Sequence, residues 1–122
     1  MSGFFGVVSQ HPCIDDLFYG TDYHSHLGTR RGGLATSHPS GFRRKIHNIE
    51  TAQFRSKFED DLERFQGNMG IGVISDYEDQ PLLFASHLGN YALVTVSAVK
   101  NLHELAHEAL DDRRSHFTEM NL

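Results

Sequence analysis

Hydrophobic and polar positions change period several times along this 122-residue chain. The opening Met1-Ser2-Gly3-Phe4-Phe5-Gly6-Val7-Val8-Ser9 is apolar and β-branched and predicts a buried strand over 2–9. Ile14, Leu17 and Phe18 then recur at helical spacing, with Asp15 and Asp16 in a first turn where the helix dipole favours negative charge. That helix is predicted over 14–26, with Pro12 near its start, a weakening Gly20 inside it and Gly28 as its stop. Gly32-Gly33 before Leu34-Ala35 reads as backbone passing close to something else, then a strand.

The second half of the pattern is clearer. His38-Pro39-Ser40-Gly41 predicts a turn, and 42–49 alternates as a partner strand. Phe54, Phe58, Leu62 and Phe65 form one stripe of a helix over 51–65, with Thr51 or Ser56 as its cap and Gly67 as its end. Strands follow at 69–74, 82–86 and 91–99, the last two joined through a Gly89-Asn90 hairpin turn. Asn101 caps a third helix with Glu104 in the reciprocal position and Leu102, Leu105, Ala106, Ala109 and Leu110 as its apolar face. Helices at three points with strands clustered between them predict an α+β domain with an antiparallel-rich sheet.

Composition narrows the function classes. The chain has the length of one domain, and a formal charge of −5 argues against sequence-independent nucleic-acid binding. No apolar run approaches the roughly 20 residues of a membrane span, and the Phe4–Val8 run lacks the basic leader of a signal peptide. The single cysteine, Cys13, excludes an internal disulfide and fits a reducing compartment, so a cytoplasmic protein is expected. Five basic residues, Arg30, Arg31, Arg43, Arg44 and Lys45, gather around the predicted hairpin. They read as an anion-facing patch or, preferably, as a solvated edge guarded by charge.

Two stretches carry candidate chemistry. Removal of Met1 leaves Ser2 with a hydroxyl and an α-amine on one residue, and an amine of pKa near 8 can act as base for its own side chain. On spacing alone, the plainer reading of Ser2 as a small residue after the initiator is preferred. His103-Glu104-Leu105-Ala106-His107 matches H-E-x-x-H, whose histidines bind zinc and whose glutamate acts as base. Its third ligand is missing: only Glu108 and His116 stand nearby, without a recognised spacing, and Glu104 points away from the apolar arc. An exposed amphipathic helix with histidines on its rim is the preferred reading. His24 and His26, two apart, share no helix face and are poor co-ligands.

The order of the remaining motifs resembles a family. Met1-Ser2-Gly3-Phe4-Phe5-Gly6-Val7-Val8 looks like the start of the class II glutamine amidotransferases, N-terminal-nucleophile hydrolases that begin Met-Cys-Gly-Ile-Phe-Gly-Val-Val. Ser25-His26-Leu27-Gly28 with Gly33-Leu34-Ala35 resembles the family's Gln-His-Arg-Gly and Gly-Ile-Ala. Gly70-Ile71-Gly72-Val73 with Gln80-Pro81 resembles Ile-Gly-His and Asn-Gln-Pro, and Tyr91 to Leu105 resembles the strand, turn and Asn-Leu-x-Glu-Leu helix start. These pieces span nearly the whole chain and are most similar to the glutaminase domain of the amidophosphoribosyltransferases.

The resemblance implies the N-terminal part of a four-layer αββα sandwich, with the nucleophile at one end of a central strand. It implies hydrolysis of glutamine to supply ammonia for purine biosynthesis, a downstream phosphoribosyltransferase domain and no cofactor. Ser2 corresponds to the nucleophilic cysteine. Ser75 falls where the family's arginine holds the substrate carboxylate, and Ser97 and Ala98 fall at the Asn-Gly oxyanion hole. Three functions are thus altered together, which implies weak or absent glutaminase activity on glutamine or a related small molecule. A non-catalytic structural or regulatory module and, less favoured, a zinc hydrolase using His103 and His107 stay open, as does the oligomeric state.

Overall fold

A computed structural model describes residues 2–27, 30–111 and 117–119 of the chain. It shows a mixed α+β domain with two antiparallel sheets. The first sheet has β1 (Gly3–Val8), β2 (Arg31–His38), β3 (Gly41–Asn48) and β4 (Met69–Ser75) in the order β1-β4-β2-β3. The second has β5 (Leu82–Ser86), β6 (Gly89–Leu93) and β7 (Phe117–Glu119) in the order β6-β5-β7. Among the described residues no helix is long and apolar enough to cross a membrane.

Strand alternation gives the first sheet two different faces. Phe5, Val7, Leu34 and Ile74 point to the helical side, where α1 (Ile14–Tyr23) and α2 (Phe54–Phe58) bring Leu17, Phe18, Phe54 and Phe58. Phe54 and Phe58 stack with ring centroids 4.4 Å apart, and Phe18 lies 5.8 Å from Phe54. Burying an apolar side chain of this size stabilises by about 1.5–3 kcal/mol, so this layer supplies most of the core energy. Room for it is made in the sheet: a Cβ on Gly72 would collide with the Thr21 hydroxyl of α1. His47 of β3 joins the layer by its ring edge on Phe58, and its Nε2 lies 2.6 Å from Asp61 Oδ2.

The opposite face carries Val73, Ala35 and Gly33 and meets the segment that opens the second sheet. The Gln80 carbonyl and Pro81 ring occupy the space a Cβ on Gly33 would need. Arg44 Nη1 donates to Pro81 O at 3.1 Å, and Leu83 is fully buried beside this junction. The Gly32-Gly33 pair therefore does what the sequence suggested, with Gly32 beneath Phe54 on one face and Gly33 beneath Gln80 on the other.

Several expectations are corrected. β1 is an edge strand of its sheet, not a buried central one: Phe4 and Val8 are 58% and 84% exposed while Phe5 and Val7 turn inward. Gly6 and Val8 on its outer face line an open cleft with Asn90, Tyr91 and Ala92 of β6, so only alternate residues are covered. α1 ends at Tyr23, and His24–Leu27 continue as a 3-10 turn in which Ser25 Oγ donates to Asp22 O at 2.6 Å. The helix predicted over 51–65 is α-helical only over Phe54–Phe58 and tightens to 3-10 over Glu59–Arg64. Neither Thr51 nor Ser56 caps it, because Gln53 is the cap residue. The aromatic stripe still buries Phe54, Phe58 and Phe65.

The hairpin of the second sheet turns at His87-Leu88, two residues before the predicted Gly89-Asn90. Ser86 explains the shift: its Oγ accepts from Leu88 N–H at 3.2 Å and donates to Gly89 O at 2.8 Å. Gly89 takes a φ of +116°, which a glycine alone adopts readily. β6 stops at Leu93, so 94–99 is not strand as expected. Of the basic residues, β3 does lie at an edge, but Arg44 is engaged with Pro81 rather than solvated. The stop expected at Gly28 lies outside the described residues.

Gly33→Ala is expected to destabilise the fold by at least about 2 kcal/mol, because the added Cβ meets backbone that cannot swing aside. Gly41→Ala meets nothing within 4 Å, but its φ of +123° makes it a backbone-strain control. Urea unfolding of both variants checks this; a Gly33→Ala midpoint equal to wild type would refute the junction described here.

Candidate functional site

The register of the first sheet brings together residues that are far apart in sequence. β1 and β4 pair Gly3 with Ile74, the last pair of that ladder, with Ser2 and Ser75 next to it in the chain. β2 and β4 pair Arg31 with Ser75, and β2 and β3 pair Arg31 with Asn48. Ser75, Arg31 and Asn48 therefore form one row across β4, β2 and β3, on the face turned toward the second sheet, and Ser2 immediately precedes the end of β1 that pairs with Ile74. The neighbouring row on that face is Phe4, Val73, Gly33 and Ile46, all apolar or glycine. The row is a polar end to an otherwise apolar inter-sheet surface. Adjacent strands lie about 4.8 Å apart, so Ser2 and Arg31 stand on backbones separated by roughly 10 Å.

Each of these residues has a defined environment. Ser2 is half-buried at the entrance to β1. Ser75 is 1% exposed, and its Oγ donates to the Glu78 carbonyl, closing the turn after β4. Arg31 is half-buried and its Nε lies 3.2 Å from Asp79 Oδ1, while Asp79 itself is largely exposed. Arg30, next in the chain, turns elsewhere: its Nε meets Glu50 Oε1 at 3.1 Å, and its guanidinium lies 5.5 Å from the Tyr77 ring centre.

Gln80 connects this row to the expected oxyanion segment. It is 4% exposed, and its side-chain amide is satisfied at both ends by Thr95. Gln80 Nε2 donates to Thr95 O at 3.1 Å, and Thr95 N–H donates to Gln80 Oε1 at 2.7 Å. One side chain thus takes the place of a partner strand for the chain after β6. Ser97 lies two residues further on, exposed, with its Oγ 2.8 Å from Thr95 Oγ1. Ala98 is exposed beside it. The structure thus anchors the approach to Ser97, but no hydrogen bond among the described residues links Ser97 or Ala98 to the row.

α3 (Leu102–Asp111) carries His103, Glu104 and His107, all exposed. Among the described residues no three histidine, cysteine or acidic side chains gather as a metal site. Glu108 is exposed on the same helix, and His116 lies outside the described residues. Leu102 and Leu105, the start of the predicted apolar face, are 60% and 46% exposed. His24 is half-buried with its ring 5.6 Å from Tyr23.

Sequence reasoning named Arg31 only as one of five basic residues of an anion-facing patch or charged edge, and linked it to neither Ser2 nor Ser75. Its pairing with Ser75 appears only once β2 and β4 are in register. Two further features lie apart from the row. A cleft of about 260 Å³ is lined by Arg43, Lys45, Arg64 and Asp61 on the helical side of β3, and a more apolar one of about 460 Å³ lies between β1 and β6. No family model matches this chain, and no curated protein matches it.

Gln80→Ala is expected to release residues 94–98 and cost about 2–3 kcal/mol, since it leaves both Thr95 backbone groups without their partner. Amide exchange of Thr95 should quicken with that loss. Unchanged Thr95 protection in a folded Gln80→Ala variant would show that the segment is held by something else.

Proposed function

We propose that this chain is a divergent N-terminal-nucleophile domain of the class II glutamine amidotransferase type, related to the αββα sandwich. In this reading Ser2 stands at the nucleophile position, and the site binds a small glutamine-like molecule without turning it over efficiently. A downstream phosphoribosyltransferase domain and a cytoplasmic setting belong to the same proposal. The observation that supports it is register: Gly3, which follows Ser2, pairs with Ile74, which precedes Ser75, so the two residues matched by resemblance to nucleophile and substrate clamp flank the same pair of β1 and β4. A helical layer on one face of the first sheet and a second sheet toward the other support the layered architecture.

The reaction this arrangement would run is simple to balance. The Ser2 α-amine accepts the Oγ proton as Oγ bonds to the amide carbon of glutamine. The carbon–nitrogen bond breaks, the proton passes to the leaving nitrogen, and ammonia departs from a serine ester. Water then cleaves the ester, with the same amine as base, to release glutamate.

Two features slow it. Ser97 lacks an amide side chain, and losing one oxyanion donor typically costs about 10²–10³ in rate. Ser75 has committed its hydroxyl to Glu78 and carries no charge for a carboxylate. The same observation favours a second reading, a binding module that has kept the fold without the chemistry.

Intact mass of the purified protein should lack one methionine, leaving Ser2 at the N-terminus. Glutamine turnover should fall at least about 100-fold below 1 s⁻¹, and Ser2→Cys should not restore it. Turnover at or above ~1 s⁻¹ in Ser2→Cys would mean that Ser75 and Ser97 are no defect. A chloroketone analogue of glutamine tests the nucleophile position directly, since the thiolate displaces chloride and forms a carbon–sulfur bond. It should label residue 2 of Ser2→Cys and spare Cys13, which is fully buried and whose thiol burial pushes up in pKa. Labelling of residue 2 no faster than in an unstructured peptide would count against the reading.

A further inference from the structure

We infer that Arg31 is the residue that recognises a carboxylate in this site, in the place left by Ser75. The inference rests on the function proposed above and names the ligand-binding residue that reading lacks. Three observations carry it. Arg31 is paired with Ser75 across β2 and β4 and shares its face, and Ser2 immediately precedes the Gly3 that pairs with Ser75's neighbour Ile74. It is the cation of that row, in a half-buried setting bordered by the apolar row of Val73 and Gly33. Its guanidinium already holds a carboxylate: Asp79 Oδ1 at 3.2 Å from Nε.

That internal carboxylate is a stand-in for a ligand. Asp79 is 71% exposed at its side chain, so it loses little by returning to water. A guanidinium offers a planar pair of N–H donors that a carboxylate fits with two parallel bonds, which neither serine nor lysine reproduces. A small ligand carboxylate displacing Asp79 would lie one strand from Ser75 and two from Ser2, leaving the rest of a glutamine-sized molecule to run along the row toward Ser2. Arg30 is not equivalent, because Glu50 and Tyr77 engage it on the other side of the turn. The ligand class is therefore a small amino acid or other short carboxylate.

Calorimetric titration with glutamine, with glutamate and with the uncharged α-carboxamide of glutamine tests this on the intact chain. Both carboxylates should bind, and the carboxamide at least tenfold more weakly. Arg31→Ala should weaken carboxylate binding at least tenfold, and Arg31→Lys should recover only part of it. Asp79→Asn, which removes the internal competitor from an exposed position and threatens no core contact, should bind carboxylates more tightly than wild type. A merely structural role for Arg31 would predict no gain in Asp79→Asn.

Carboxylate binding that is equal in wild type and a folded Arg31→Ala would overturn the inference, as would no binding to either wild type or Asp79→Asn. The chloroketone experiment separates this from the broader reading. Labelling of Ser2→Cys with Arg31-independent binding sinks the Arg31 assignment alone. Arg31-dependent binding without labelling sinks the nucleophile and leaves Arg31 standing.

Discussion

The contact between the Gln80 carbonyl and the backbone of Gly33 is the constraint from which the rest of the inter-sheet surface follows. It requires a residue without a Cβ on β2, and it sets the chain after β4 at a fixed height above the first sheet. From there each residue of the segment has a defined partner. Ser75 closes the turn onto Glu78, Asp79 reaches Arg31, the Gln80 side chain takes up Thr95, and Pro81 O accepts from Arg44. A buried amide such as Gln80 is costly when half-satisfied and rigid when satisfied at both ends, so the segment is held by its polar groups as much as by burial.

The helical face works on different terms. There the stack of Phe54 and Phe58, with Phe18, Leu34 and Ile74, makes an apolar layer in which van der Waals contact and water exclusion dominate. The ion pairs around it contribute less: Arg55 meets Asp22 at 2.7 Å but is 60% exposed, so solvent screens much of the attraction. One sheet thus separates a face packed by aromatic and aliphatic side chains from a face held largely by polar groups. The polar row at the end of the inter-sheet face is tolerated because the fold does not depend on it for its core.

Much of this was legible in the sequence where one period ran long enough. The aromatic stripe from Phe54 to Phe65, the alternation of 42–49 and the paired glycines each announced their role. The misses have local causes. Gly89-Asn90 carries the usual hairpin signal, yet the Ser86 hydroxyl fixes the turn two residues earlier, and a single side-chain hydrogen bond is invisible to pattern reading. Residues 94–99 are as β-prone as any strand, but the partner they find is the side chain of Gln80. The edge position of β1 depends on strand order, which hydrophobicity alone does not set. Ser2 and Ser75 were singled out through resemblance to a family and Arg31 as one of five clustered basic residues, whereas the pairing of Arg31 with Ser75 became visible only through register.

On the proposed reading, register also bears on why Arg31 would not supply the missing glutaminase chemistry. A clamp on β2 stands one strand further from Ser2 than a clamp on β4, a displacement of about 4.8 Å. Strand spacing cannot flex by that amount, so a ligand anchored by its carboxylate on Arg31 carries the displacement along its own length. An error of about 1 Å at the reacting carbon already costs on the order of 10² in rate, and a flexible glutamine side chain recovers alignment only by giving up conformational freedom. The arrangement therefore favours retention of a short carboxylate over attack on its amide.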